Sequence, residues 1–130
     1  MFKKTITYVD YNDNTRTEDF YFNLTKSDIM KMEMSVKGGL AEMIKRIVAA
    51  EDAPAIIAVF EDLIEKSYGV KTLDGKGFDK NPKHFEAFKQ TPAYDELFMQ
   101  LATDADAAAE FVNQIIPVDM RKQLAEQTAN

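Results

Sequence analysis

The 130-residue chain sets 16 Lys and Arg against 22 Asp and Glu, a net charge of −6, with 45% hydrophobic residues, one His, no Cys and no Trp. A chain of this length buries roughly two-thirds of its unfolded surface, so one domain with a real core is expected without disulfides. The missing Cys excludes a disulfide scaffold, a thiolate zinc site and a cysteine nucleophile, and the lone His84 leaves no material for a His-based metal cluster.

Residues 3–9 and 15–22 alternate and are rich in β-branched and aromatic side chains, which predicts two strands. Between them Asp10-Tyr11-Asn12-Asp13-Asn14 gathers residues that tolerate left-handed backbone and bond their own main chain, so the pair is predicted to be a β-hairpin. A hairpin alone is marginal, so Phe2, Ile6, Tyr8, Phe20 and Phe22 are expected to pack on helices. Thr25 and Asp28 have capping-box spacing, with Ser27 as the alternative cap, and open a helix through about Met34 that Gly38-Gly39 ends.

Leu40, Met43, Ile44, Ile47 and Val48 draw one apolar stripe on a second helix, to about Ala50. Asp52 and Pro54 start a third, which carries Ile56, Ile57, Phe60, Leu63 and Ile64 and stops near Gly69. Residues 69–79 hold three of the five glycines and are expected to form a long loop, with Asp74-Gly75 able to turn a small hairpin. Pro82 opens a short helix with Phe85 and Phe88, and Thr91-Pro92 another with Tyr94, Leu97, Phe98 and Leu101. Thr103 or Asp104 caps a helix bearing Phe111, Val112, Ile115 and Ile116, which Pro117 ends. The tail after it offers only Val118, Met120 and Leu124 as sizeable apolar anchors, so weak attachment is expected. No apolar run approaches the roughly 18–20 residues of a membrane span, and Met1-Phe2-Lys3-Lys4 leads into polar alternation, so a soluble chain without a targeting segment is expected.

From Pro92 to Ile116 there are Asp95, Glu96, Asp104, Asp106 and Glu110 and no Lys or Arg, a face that would repel a phosphate backbone. The basic cluster Lys71, Lys76, Lys80, Lys83 and Lys89 is interleaved with acids and has no Arg fork, so it reads as a solvated loop. Asp104, Asp106 and Glu110 suggest a calcium loop, but Ala109 stands where its glycine belongs, and acids at a helix N-terminus account for them better. Asp74-Gly75-Lys76-Gly77 lacks the spacing of a phosphate loop, His84 has no companion nucleophile or second His, and Glu61, Asp62 and Glu65 fit the solvent face of a helix.

Met30-Lys31-Met32-Glu33-Met34 is more informative. Residues 30 and 34 share a helical face and Met32 points elsewhere, so all three cannot enter one core. Either some thioether is exposed and suits varied apolar partners, or Met30 and Met34 fill the core while Met32 lies under the hairpin. Tyr8, Tyr11 and Tyr21 carry the same ambiguity between packing and contact.

The run Thr5-Ile6-Thr7-Tyr8-Val9-Asp10, the segment Thr17 to Thr25, the stretch Gly38 to Val48, Ser67-Tyr68-Gly69-Val70, and the segments Ala93 to Met99 and Ala102 to Asn113 together resemble a family of small proteins of long-tailed bacteriophages and prophages, the tail assembly chaperones. The likeness covers most of the chain and consists of packing patterns. It implies a protein that binds the long, largely helical tape measure protein, keeps it soluble and helps tail-tube subunits polymerise around it; the family often also makes a longer, frameshifted form.

The combined reading is an α+β fold, an N-terminal β-hairpin packed on a predominantly α-helical body of five to six helices. It forms a single domain over 1–130, with the hairpin in 1–24, the helical body in 25–116 and a weakly anchored tail in 117–130. The expected role is non-enzymatic, in the cytoplasm of the bacterial host, without metal or cofactor. Its partners are the tape measure protein and then the tail-tube protein, with neither nucleic acid nor membrane, and a homo-oligomer is compatible. The candidate partner-binding residues are Met30, Met32, Met34, Tyr8 and Tyr21. Other readings are a structural virion component, an acidic inhibitor of a host nucleic-acid-binding protein, and a small enzyme, which would need a deep pocket with convergent polar groups.

Overall fold

The computed structural model describes residues 1–35 and 53–117. β1 (Phe2–Val9) and β2 (Thr15–Phe22) form the expected hairpin, paired without interruption from Phe2 opposite Phe22 to Val9 opposite Thr15. Its turn is organised by one side chain. The Asp10 carboxylate accepts from the backbone N–H of Asn12 and Asn14 at 2.9 and 3.0 Å and from the Arg16 guanidinium at 2.5 Å. Asp13 takes the positive φ of 62° that the turn requires, a conformation Asp tolerates because its side chain can bond locally.

One face of the hairpin carries Ile6, Tyr8 and Phe22, all buried, with Phe2 and Phe20 packed at their margins. This is the face expected from the alternation, and the helices Pro92–Thr103 and Ala105–Ile115 pack against this strand pair. The opposite face holds Thr5, bonded to Asp19, and Thr7, bonded to Thr17.

The helix α1 (Lys26–Ser35) opens with the reciprocal cap that the sequence anticipated. The Thr25 N–H donates to the Asp28 carboxylate at 2.9 Å, and the Asp28 N–H donates to the Thr25 hydroxyl at 3.1 Å. The predicted helix over residues 40–50 lies outside the described residues. The next described helix, α2 (Ala53–Ser67), buries Leu63 and Ile64.

Beyond α2 the sheet is larger than the hairpin. β3 (Tyr68–Lys71) pairs with β2, and β4 (Phe78–Asp79) pairs with β3, giving a four-stranded antiparallel sheet in the order β1-β2-β3-β4. The loop expected over residues 69–79 is therefore a hairpin built into the sheet, with Gly75 turning at φ 74°. Gly69 is required for another reason. A Cβ there would stand 2.7 Å from the Phe78 ring, which lies against the strand.

Three helices complete the described chain: α3 (Pro82–Lys89), α4 (Pro92–Thr103) and α5 (Ala105–Ile115). The Asn81 side chain caps α3 by accepting from the Lys83 N–H, and the Asp104 carboxylate caps α5 by accepting from Asp106 and Ala107. Thr91 precedes Pro92 at the start of α4 but makes no side-chain cap; its hydroxyl donates to the Phe88 carbonyl instead. The tail beyond residue 117 lies outside the described residues.

The core is a chain of rings. Phe22 touches Phe2, Tyr68, Phe88 and Phe111 at centroid distances of 5.5–6.3 Å. Tyr68 stacks on Phe88 at 4.5 Å, and Phe88 meets Tyr94 edge to face at 5.6 Å. The sheet, α3, α4 and α5 are thus joined through aromatic contacts, each contributing about 0.5–1.5 kcal/mol beyond area burial. At one end of this core the connector between β2 and α1 ties down two helices. The Asn23 N–H donates to the Ser67 carbonyl at 2.7 Å, and the Leu24 N–H donates to the Ile115 carbonyl at 2.8 Å. Helix C-termini leave carbonyls without intrahelical partners, and two successive amides satisfy one on α2 and one on α5.

Candidate protein-binding surfaces

Because Ile29 and Met32 are the buried side chains of α1, they set the rotation of the helix. Met30, about 200° around an ideal helix from Met32, is consequently turned outward and 65% exposed, while Met32 is 4% exposed. The packing alternative, with Met30 in the core, is reversed. Met34 belongs to the same helix, but its side chain lies outside the described residues.

The flank of α1 nearer the core borders a depression of about 330 Å³, lined among the described residues by Asp28, Lys31, Met32 and Lys66. Its floor is a thioether and its rim carries both signs of charge. Partial burial pulls the Asp28 carboxyl upward, but the Lys80 ammonium at 2.7 Å and the Thr25 hydrogen bonds outweigh it and hold the group below its usual range. That ion pair fastens the start of α1 to the residue following β4.

The two candidate tyrosines have structural partners. Tyr8 is buried, and its hydroxyl donates to Glu18 across the hairpin; that bond and burial push its pKa up. Tyr21 is half-buried on the outer face of the sheet, with the Lys71 ammonium 4.2 Å from its ring centre. The four candidate residues whose side chains are described therefore do not converge on one patch: Met30 is at the surface, Tyr21 at the outer sheet face, and Tyr8 and Met32 in the core.

Other exposed apolar side chains were not singled out by the sequence. Leu73 stands fully exposed at the β3–β4 turn, and Met99 is 57% exposed on the outer side of α4. The available signal at Leu73 was a large apolar residue set between the turn formers Thr72 and Asp74-Gly75, where no core can reach it. On α4 the Tyr94 hydroxyl is buried without a hydrogen-bond partner among the described residues; burial first, then the charges of Glu61, Asp95 and Glu65, push its pKa up.

As to chemistry, His84 Nε2 lies 3.0 Å from Asp79, which lowers the pKa of that carboxyl. Among the described residues no group of three or more His, Cys, Asp or Glu is placed to hold a metal ion, and no helix is long and apolar enough to cross a membrane. The arrangement offers apolar and mixed-charge surface on rigid elements.

A family model described as phage tail assembly chaperone matches residues 1–130 of this chain. No curated protein and no solved structure matches it.

Proposed function

Because the chain belongs to the phage tail assembly chaperone family over its full length, we propose that it binds the tape measure protein in the host cytoplasm, keeps it soluble and assists tail-tube assembly, without catalysis. The observation that carries the contact site is Met30, a flexible thioether held 65% exposed on a helix whose start is fixed by a reciprocal cap. An unbranched thioether adapts to varied apolar partners, as the coating of a long helical protein demands. Tyr21 offers a separate contact on the outer sheet face, whereas Met32 and Tyr8 act by keeping α1 and the hairpin in place.

The test is co-expression with the tape measure protein of the same genome, followed by affinity purification. The expected result is a soluble tape measure protein that co-elutes with this chain. A tape measure protein that stays insoluble or elutes alone overturns the reading, and a stoichiometric band of this chain in purified particles would then favour a structural virion component.

A further inference from the structure

The two edges of the sheet differ in character. β4, at one edge, is two residues long and runs through Lys80 and Asn81 into the proline that opens α3. β1, at the other, is eight residues long, contains neither Pro nor Gly, and pairs with β2 without a bulge. Sheet edges are commonly blunted by shortness, proline, bulges or charge, because an open edge is a template for another strand. Of these devices β1 carries only Lys3 and Lys4, both at one end.

The phase of the hairpin decides which groups this edge offers. The Asp10 N–H donates to the Asn14 carbonyl at 2.9 Å, and bonded and non-bonded pairs alternate along an antiparallel ladder. Tyr8, Ile6, Lys4 and Phe2 therefore bond β2, while Val9, Thr7, Thr5 and Lys3 turn their N–H and C=O groups outward. The close side-chain pairs Thr7–Thr17 at 2.9 Å and Thr5–Asp19 at 2.6 Å agree, since non-bonded pairs bring side chains nearer. Among the described residues no main-chain partner meets the outward groups. Lys3, Thr5, Thr7 and Val9 are all exposed, the last an apolar side chain left 54% in solvent.

Main-chain groups repeating at every second residue are matched by a chain in extended form. The charge of that chain follows from β1, where Lys3 and Lys4 stand with no Asp or Glu in the strand and in no ion pair among the described residues. We propose that β1 takes an extended, acidic segment of a partner protein as an added strand, its main chain bonded to Lys3, Thr5, Thr7 and Val9 and its carboxylates beside the two lysines. The contact is separate from Met30 and does not depend on which client is held there.

Fluorescence polarisation of the full chain with a labelled peptide of alternating Glu and Val, matched to β1 in length, tests it. The expected result is binding that weakens about tenfold or more when Lys replaces Glu in the peptide, with the preference reversed in Lys3→Glu with Lys4→Glu. Thr7→Pro removes an outward N–H at a position where an edge strand tolerates proline, and is expected to weaken binding about tenfold or more, whereas Thr7→Val keeps that N–H and the affinity. Without any variant, the peptide is expected to slow hydrogen exchange at the Thr5, Thr7 and Val9 amides and to leave Ile6 and Tyr8 unchanged, a pattern that decides the matter if Thr7→Pro fails to fold. No binding, equal binding by a folded Thr7→Pro and Thr7→Val, a preference that ignores charge, protection that does not alternate, or dimers joined edge to edge in place of a peptide complex would each overturn the inference.

Discussion

Met30 and Met32 are two positions apart, yet opposite consequences follow from replacing them. Met30→Ser removes a side chain that touches mostly water, so the unfolding free energy is expected to change by no more than about 0.5 kcal/mol, while the proposed capture of the tape measure protein falls. Met32→Ser opens the core beneath α1 and is expected to cost roughly 2–5 kcal/mol in urea unfolding. Equal loss of stability in the two variants would place Met30 in the core. Tyr94 supplies a second single-residue case. Its hydroxyl is desolvated with no bond in return, so Tyr94→Phe is expected to raise the unfolding free energy by about 1 kcal/mol; a decrease would reveal a bridging water.

Among elements, α1 joins two kinds of stabilisation at one carboxylate. Asp28 caps the helix and pairs with Lys80 from beyond β4. Its folded pKa is lowered, so its contribution is present above the unfolded Asp value of about 3.9 and is lost as pH falls through the lower folded value. Asp28→Asn keeps an acceptor for the Thr25 N–H and removes the charge. The drop in urea midpoint between neutral pH and about pH 2.5 is therefore expected to be smaller in this variant than in the wild type. Equal drops would assign the acid sensitivity to Asp10, Asp74 and Asp79, whose carboxyls are also lowered.

How much of each element was legible follows from what specifies it. The first hairpin, the Thr25–Asp28 cap and the Asp104 cap depend on local chemistry within a few residues, and the sequence displayed all three. β3 and β4 depend on distant partners: Gly69 is chosen by the Phe78 ring, and pairing with Tyr21 and Phe22 reaches across 46 positions from Phe22 to Tyr68. Three glycines and several lysines hid that strand pair behind the composition of a loop. The rotation of α1 was set by Ile29 and Met32 at i, i+3 spacing, an apolar pair that the Met30–Met34 spacing obscured. The turn formers around Leu73 signal its exposure locally, whereas isolation of the Tyr94 hydroxyl is a property of the assembled core and had no local signature.

Across the whole molecule the ring chain makes the sheet and the helical layer one cooperative unit. Phe22 sits at its centre, fully buried between four other rings. Phe22→Ala is expected to cost about 3–5 kcal/mol, a large share of the 5–15 kcal/mol typical of a domain, yet to leave a single transition with an unchanged denaturant slope. Two separated transitions would show that the hairpin and helices unfold independently.

The connector Asn23–Leu24 belongs to neither a strand nor a helix, so by its class it ought to exchange its amide hydrogens quickly. Its two N–H groups are instead the bolts through the ends of α2 and α5. Neither can open unless a helix terminus comes away from the sheet, so both are expected to exchange as slowly as the central strand amides in native-state hydrogen exchange. If the exposed faces engage and release a client as proposed, two amides on which both layers hang would keep the frame behind them shut meanwhile.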